Sequence, residues 1–206
     1  MAHLVCWTFS EIPSEMIDIL VKDLEKYDES IKKSVVRDEL RAEKDIRKSK
    51  NAWVYSNTWV GGFIWYYINR ANRENFMYDI MDIDSGTIQY TEYERGEYYN
   101  WHVDDDLDRC LMNGNVLSSS DNHGETISTL NGEYVRKLSF SIQLSDPEDY
   151  EGGELEFIGG DDKPFAAPKQ KGTIIIFDSR TKHRVCEVKS GIRKSLVGWI
   201  VGPRWR

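Results

Sequence analysis

The run Tyr98-Tyr99-Asn100-Trp101-His102-Val103-Asp104 is dense in aromatic and β-branched residues, a composition that predicts a strand. Residues i and i+2 of a strand share a face, so His102 and Asp104 offer an imidazole and a carboxylate to one side. The same character continues outward. Short strands are expected near 76–83, 86–93, 97–104, 134–145, 153–158, 172–178, 184–189 and 193–201. Turn residues punctuate them at Asp84-Ser85-Gly86, Glu151-Gly152-Gly153, Gly159-Gly160 and Ser190-Gly191. Upstream, residues 3–9 read as a short strand. Ile12, Met16, Leu20 and Leu24 repeat at i+4 and predict a helix from about Pro13 to Tyr27. A second helix is expected over 58–73, with Trp59, Phe63, Tyr66 and Tyr67 on one side, against the helix-weakening pair Gly61-Gly62. The polar stretch 29–52 reads as a connector or frayed helix. The fold class expected is mainly β with flanking α-helices, a jelly roll with two N-terminal helices packed on one sheet. One domain is expected over 1–206, with helical support about 10–75, a core about 76–203 and a polar loop about 105–133.

Composition narrows the function. The chain has 206 residues, 40% hydrophobic and 30% charged, an ordinary globular balance able to bury a core without staples. Cys6, Cys110 and Cys186 are odd in number and widely spaced, which argues against a disulfide framework or a cysteine zinc site. No apolar run reaches the ~18–20 residues that span a bilayer, and Met1–Trp7 lacks a secretory pattern. A cytoplasmic protein with no membrane partner is expected. A net charge of −8 makes nucleic acid a poor default partner. The basic stretch 31–50 interleaves its signs and reads as a solvated segment.

A third candidate ligand, His183, follows the apolar run Thr173–Phe177. Two histidines and one carboxylate can hold a metal while leaving three coordination positions open, the facial triad of non-haem Fe(II) oxygenases. An H-x-D pair alone is common by chance, and its bland reading is a histidine beside an acidic cluster. Asp105 and Asp106 extend that cluster, and strand parity selects Asp104. Arg193 lies across the Ser190-Gly191 turn from His183. A hairpin pivoting near Lys189-Ser190 sets it about three residues, roughly 10 Å at ~3.3 Å per residue, from the level of His183. That offset suits a guanidinium gripping the far carboxylate of a five-carbon diacid chelated at its near end. Ser195 shares the face of Arg193. His123, in the polar loop, reads as exposed, His3 as structural, and Cys186 as facing away from the metal. Arg180, Lys182 and Arg184 either draw in an anionic cosubstrate or balance the acidic stretch 146–162.

The ordered set Tyr93-x-x-Gly96-x-x-Tyr99-x-x-His102-Val103-Asp104, Leu144-Ser145-Asp146-Pro147, Tyr150-x-Gly152-Gly153-Glu154-Leu155, His183, Arg193 and Trp199 resembles Fe(II)/2-oxoglutarate dioxygenases of the prolyl 4-hydroxylase superfamily, especially bacterial and phage PKHD-type hydroxylases. The resemblance spans roughly 50–206. It implies a distorted double-stranded β-helix, with Fe(II), 2-oxoglutarate and O2 as reactants, ascorbate as a supporting reductant, and succinate and CO2 as coproducts. It implies His102, Asp104 and His183 as iron ligands, Arg193 on the distal carboxylate of 2-oxoglutarate, and Tyr93 and Gln143 nearby. Arg136, Tyr99, Leu155 and Trp199 fall towards the substrate mouth. The implied substrate is a prolyl residue in a peptide or protein, docked near Arg136 and the 105–133 loop, ahead of a free amino acid or small metabolite; nucleobase repair ranks third. The rivals are a non-catalytic metal-binding jelly roll and a zinc hydrolase. Neither accounts for Arg193, and the carboxylate of Asp104 argues against a halogenase.

Overall fold

A computed structural model describes residues 5–8, 12–37, 45–105, 134–160 and 162–205. His3, Cys110, His123, Asp106 and nearly all of the expected 105–133 loop lie outside them.

In chain order the strands are β1 (Val5–Thr8), β2 (Lys32–Arg37), β3 (Asp45–Tyr55), β4 (Asp82–Ile83), β5 (Thr87–Tyr93), β6 (Tyr98–His102), β7 (Tyr134–Gln143), β8 (Tyr150–Gly152), β9 (Leu155–Ile158), β10 (Pro164–Ala166), β11 (Ile174–Asp178), β12 (His183–Val185), β13 (Val188–Gly191) and β14 (Arg193–Pro203). Helices α1 (Ser14–Leu24) and α2 (Trp59–Ala71) complete the fold. Ten strands form a curled antiparallel path, β1-β11-β7-β14-β5-β3-β6-β12-β9-β10, with β2 added to β3 and β4 to β14, while β13 and β8 pair separately. The architecture is the expected jelly roll.

Alternation along the central strands sorts the two faces of the sheet. On one face Ala52, Val54, Ile88, Tyr90, Ile142, Ile174, Ile176, Leu196 and Ile200 pack against Ile17, Leu20 and Leu24 of α1 and Val60, Ile64 and Ile68 of α2. Both helices therefore cover one sheet, as expected. The aromatic side of α2 faces outward, leaving Trp59 and Tyr66 exposed, while its aliphatic side is buried. Gly61 belongs inside this helix for a packing reason: a Cβ there would stand 1.8 Å from the Ser56 carbonyl oxygen. On the other face of the sheet lie Gln89, Thr91, Tyr93, Ser139, Ser141, Gln143, Arg193 and Ser195, all buried.

Three expectations need correction. The stretch 29–52 is largely a β-hairpin, β2 against β3, and β3 inserts between β5 and β6. Its polar composition concealed it, because neither face of β3 is uniformly apolar. The expected strand at 76–83 shrinks to β4, since α2 runs on into a π-helical turn at Asn72–Phe76 that ends with Met77 in the left-handed region. The expected strand at 184–189 is two strands with different partners, β12 between β6 and β9, and β13 against β8.

Gly191 sits at φ +73° where β13 gives way to β14, and a Cβ there would lie 1.9 Å from the Asp149 carbonyl oxygen. Gly191→Ala should cost roughly 2 kcal/mol or more, read as a lowered denaturant midpoint at unchanged slope.

Candidate metal and cosubstrate site

His102 closes β6 and His183 opens β12, and the antiparallel register sets them opposite each other. Their ring centroids stand 4.1 Å apart. Asp104 lies just beyond β6 rather than within it. Its backbone N–H donates to the Ser179 carbonyl at 2.8 Å, so the turn leading into His183 holds it. The expected pairing of His102 with Asp104 is present, produced by this tether and not by continuation of the strand. Asp178 anchors the same turn. Its carboxylate accepts hydrogen bonds from the Tyr78 hydroxyl at 2.5 Å and the Arg180 guanidinium at 2.6 Å, and its carbonyl accepts from the Thr181 N–H.

Each histidine donates from Nδ1 to a backbone carbonyl two residues earlier, His102 to Asn100 at 2.7 Å and His183 to Thr181 at 2.9 Å. These bonds fix the tautomer and leave each Nε2 lone pair facing the carboxylate. Both Nε2 atoms are 3.5 Å from an Asp104 oxygen, and one ligand atom from each of the three residues lies within 4.8 Å of the others. Facial donors ~2.1 Å from one ion stand about 3 Å apart, so the set fits a divalent transition metal. Electrostatics prepares the same state. Burial pushes the His183 imidazole down to about 4, keeping it neutral. Burial alone would raise the Asp104 carboxyl, but the charge of His183 or His102 whenever either is protonated, together with Arg136, holds it well below the usual carboxylate range. Phe157 and Phe177 pack on the His183 ring and keep it dry.

Arg193 enters from another wall. Between β14 and β12 run β5, β3 and β6, so Arg193 and His183 do not belong to one hairpin, and the offset counted from a pivot near Lys189-Ser190 does not describe how they meet. They do line one cavity, open to solvent. Arg193 is 1% exposed. It donates to Ser195 Oγ at 3.2 Å and Gln143 Oε1 at 3.0 Å, and it lies 5.7 Å from the ring of Tyr93, its partner across β5–β14. Among the described residues no carboxylate pairs with it. Among the described residues its Nε and the buried Tyr150 hydroxyl, which lies close enough to feel the guanidinium's charge, have no well-aligned hydrogen-bond partner. A buried guanidinium with spare donors and only neutral neighbours fits the distal carboxylate of a dicarboxylic acid.

The expected mouth residues fall around this centre. Tyr99 stacks on His102 with ring centroids 3.5 Å apart. Arg136 lies 4.1 Å over the Trp199 ring and pairs with Asp84 at 2.8 Å. Leu155 lines the cavity beside Val185, whereas Cys186 does not, as its opposite parity implies. Arg180 is tied to Asp178 and Arg184 to Glu156, so these two cations answer local acids. The residues missed by sequence reasoning come from β3: Arg47 lines the cavity, and Ser49, Asn51 and Trp53 share its face by alternation. The available signal was the period-two order Arg47-x-Ser49-x-Asn51-x-Trp53.

The family model of the 2OG-Fe(II) oxygenase superfamily matches residues 88–201. A PKHD-type hydroxylase of Synechococcus sp. (strain CC9311) is 36% identical over 89 residues, 41% of this chain and 40% of that protein. The chain spans about two fifths of the length of the curated relatives it matches. A Pseudomonas putida prolyl-4-hydroxylase shares the fold with a TM-score of 0.67 at 16% identity, over 98% of this chain and 94% of that one. So does a Trichoplax adhaerens prolyl hydroxylase solved with a hypoxia inducible factor peptide, with a TM-score of 0.66 at 16% identity over 96% and 83%.

Asp178 supports two ligands through one turn. Asp178→Asn should weaken Fe(II) binding by roughly tenfold, the usual scale for groups that orient ligands, in an anaerobic metal titration.

Proposed function

This chain belongs to the 2OG-Fe(II) oxygenase superfamily, and we propose that it hydroxylates an unactivated C–H bond, that of a prolyl residue in a peptide or protein. The observation that carries this reading is one cavity lined by both a His-Asp-His donor set and a buried arginine with no acidic partner among the described residues. The prolyl substrate is supported by what the relatives and structural neighbours are named for, PKHD-type and prolyl hydroxylases.

His102 and His183 would hold Fe(II) through Nε2 and Asp104 through its carboxylate. When bound, iron with 2-oxoglutarate and O2 supplies the oxidising power, converting C–H to C–OH as 2-oxoglutarate becomes succinate and CO2. The chain contributes position and exclusion. Arg193, backed by Gln143 and Ser195, would anchor the distal carboxylate and thereby set the register of the cosubstrate. Tyr93 closes that pocket from β5. Phe157, Phe177 and Leu155 keep the ligand side apolar, which limits water and strengthens every charge interaction within. Burial, then Asp104, raise the Tyr99 hydroxyl, so it stays a neutral phenol against His102. Trp199 and Arg136 shape the mouth. The same reading places the protein in the cytoplasm, with ascorbate keeping the iron reduced.

An anaerobic titration with Fe(II) and 2-oxoglutarate should give a visible charge-transfer band that saturates. Arg193→Ala should shift the 2-oxoglutarate midpoint by roughly tenfold or more, the scale of a charge-assisted bond pair. Asp104→Ala should weaken the band by losing iron. Aerobically, with ascorbate, prolyl peptides should stimulate succinate release. Bound iron with no band would remove 2-oxoglutarate from the reading.

A further inference from the structure

We infer that Arg47 selects the substrate by binding a carboxylate that the substrate carries near the carbon to be oxidised. This rests on the oxygenase reading above and names a substrate class within it.

Arg47 is 8% exposed and lines the cavity from β3, the strand between those that carry His102 and Tyr93. Its Nε donates to Ser49 Oγ at 2.8 Å and its Nη2 to Asn51 Oδ1 at 2.8 Å. Both acceptors are neutral, and among the described residues no carboxylate lies within ion-pair distance. Its guanidinium carbon stands 5.1 Å over the Tyr99 ring, and Tyr99 stacks on His102, so the cation is one ring away from the ligand set. The arrangement is braced. Gln89 Nε2 donates to Asn51 Oδ1 at 3.1 Å and to Thr91 Oγ1 at 2.7 Å, fixing the amide oxygen that Arg47 uses. These contacts orient the guanidinium without neutralising it, and its Nη1 keeps its donors.

Charge balance shows what is missing. Two positive charges of Fe(II) with one negative charge of Asp104, and two negative charges of 2-oxoglutarate with one positive charge of Arg193, sum to zero. Arg47 remains. A guanidinium does not shed its proton in a protein, and a buried charge without a counter-charge is costly. With the expected metal and cosubstrate in place, none of the described residues supplies the anion, and a carboxylate on the substrate would supply it. The planar fork favours a carboxylate, which it can hold bidentately. The source is either the α-carboxylate of a free amino acid or chain end, or an acidic side chain beside the target in a peptide.

Calorimetry on the full chain with Fe(II) and 2-oxoglutarate under argon, using matched probes, separates these sources. One pair is L-proline and L-prolinamide. The other is acetyl-Pro-Glu-amide and acetyl-Pro-Gln-amide. In one pair the carboxylate should bind at least tenfold more tightly than its amide partner. Arg47→Gln should close that gap, while Arg47→Lys should restore part of it. A gap in the first pair assigns a free carboxylate; a gap in the second assigns an acidic neighbour. The absence of a gap in both pairs overturns the inference in the wild type alone, whatever the variants do. An equal gap in wild type and Arg47→Gln overturns it too. So does a loss of 2-oxoglutarate affinity in Arg47→Gln matching that of Arg193→Ala, which would assign Arg47 to the cosubstrate. Calorimetry reads the gap without the charge-transfer band, so failure of the band in the wild type counts against the oxygenase reading separately.

Discussion

The register of β6 against β12 is the constraint from which the site follows. It sets His183 opposite His102. A slip of one residue would exchange His183 for Arg184 on that face, and Arg184 is built for the outside, paired with Glu156 at 2.7 Å. The bond from the Asp104 N–H to the Ser179 carbonyl then adds the third donor from the turn that precedes His183. One turn, anchored by Asp178, thus governs two ligands from sequence positions far apart. The aromatic packing of Phe157 and Phe177 on His183 supplies the dryness that keeps its imidazole neutral.

The large sheet resolves two opposing demands by alternation. Its outer face is aliphatic and meets both helices, so burial there is favourable at about 25 cal/mol per Å2 of apolar surface. Its inner face buries serines, threonine, glutamine and arginine that a sandwich core would not ordinarily hold. Several of those groups are tied to one another, Arg193 to Ser195 and Gln143, and Gln89 to Asn51 and Thr91. The outer face stabilises a sheet whose inner face is arranged for chemistry.

Much of this was legible from residue order. The strands β5, β7, β11 and β14 announce themselves because their buried positions alternate or run apolar, β6 does so through its run of aromatic residues, and α1 through its i+4 repeat. His102, Asp104, His183 and Arg193 were legible as residue types, and the structure brings all four to one cavity. The route between His183 and Arg193 was not legible, because nothing local in residues 184–192 reveals that β13 leaves the large sheet to pair with β8. Strand β3 was hidden for a different reason. Lys48 and Lys50 occupy its other face, and Lys50 pairs with Glu94, while Arg47, Ser49 and Asn51 face inward, so hydrophobic alternation is absent where the strand approaches the cavity. A polar inward face is what a ligand-binding strand presents, and it resembles a solvated segment when only composition is read.

The distribution of charge separates the cavity from the rest of the molecule. The chain carries a net −8, yet among the described residues lining the cavity Asp104 is the sole acid, set against Arg47 and Arg193. A recessed positive region within an acidic surface focuses its field along the opening, because the low-dielectric walls screen it less than bulk water would. Anions that reach the mouth are drawn inward, whereas cations held at the outer surface gain little by entering. The two guanidiniums also stand on different walls, β3 and β14, each held by neutral acceptors that fix direction and leave charge. Two separated and similarly prepared cations suit two separate carboxylates better than one shared anion. On this arrangement the proposed selection by Arg47 and the proposed anchoring by Arg193 would be distinct tasks.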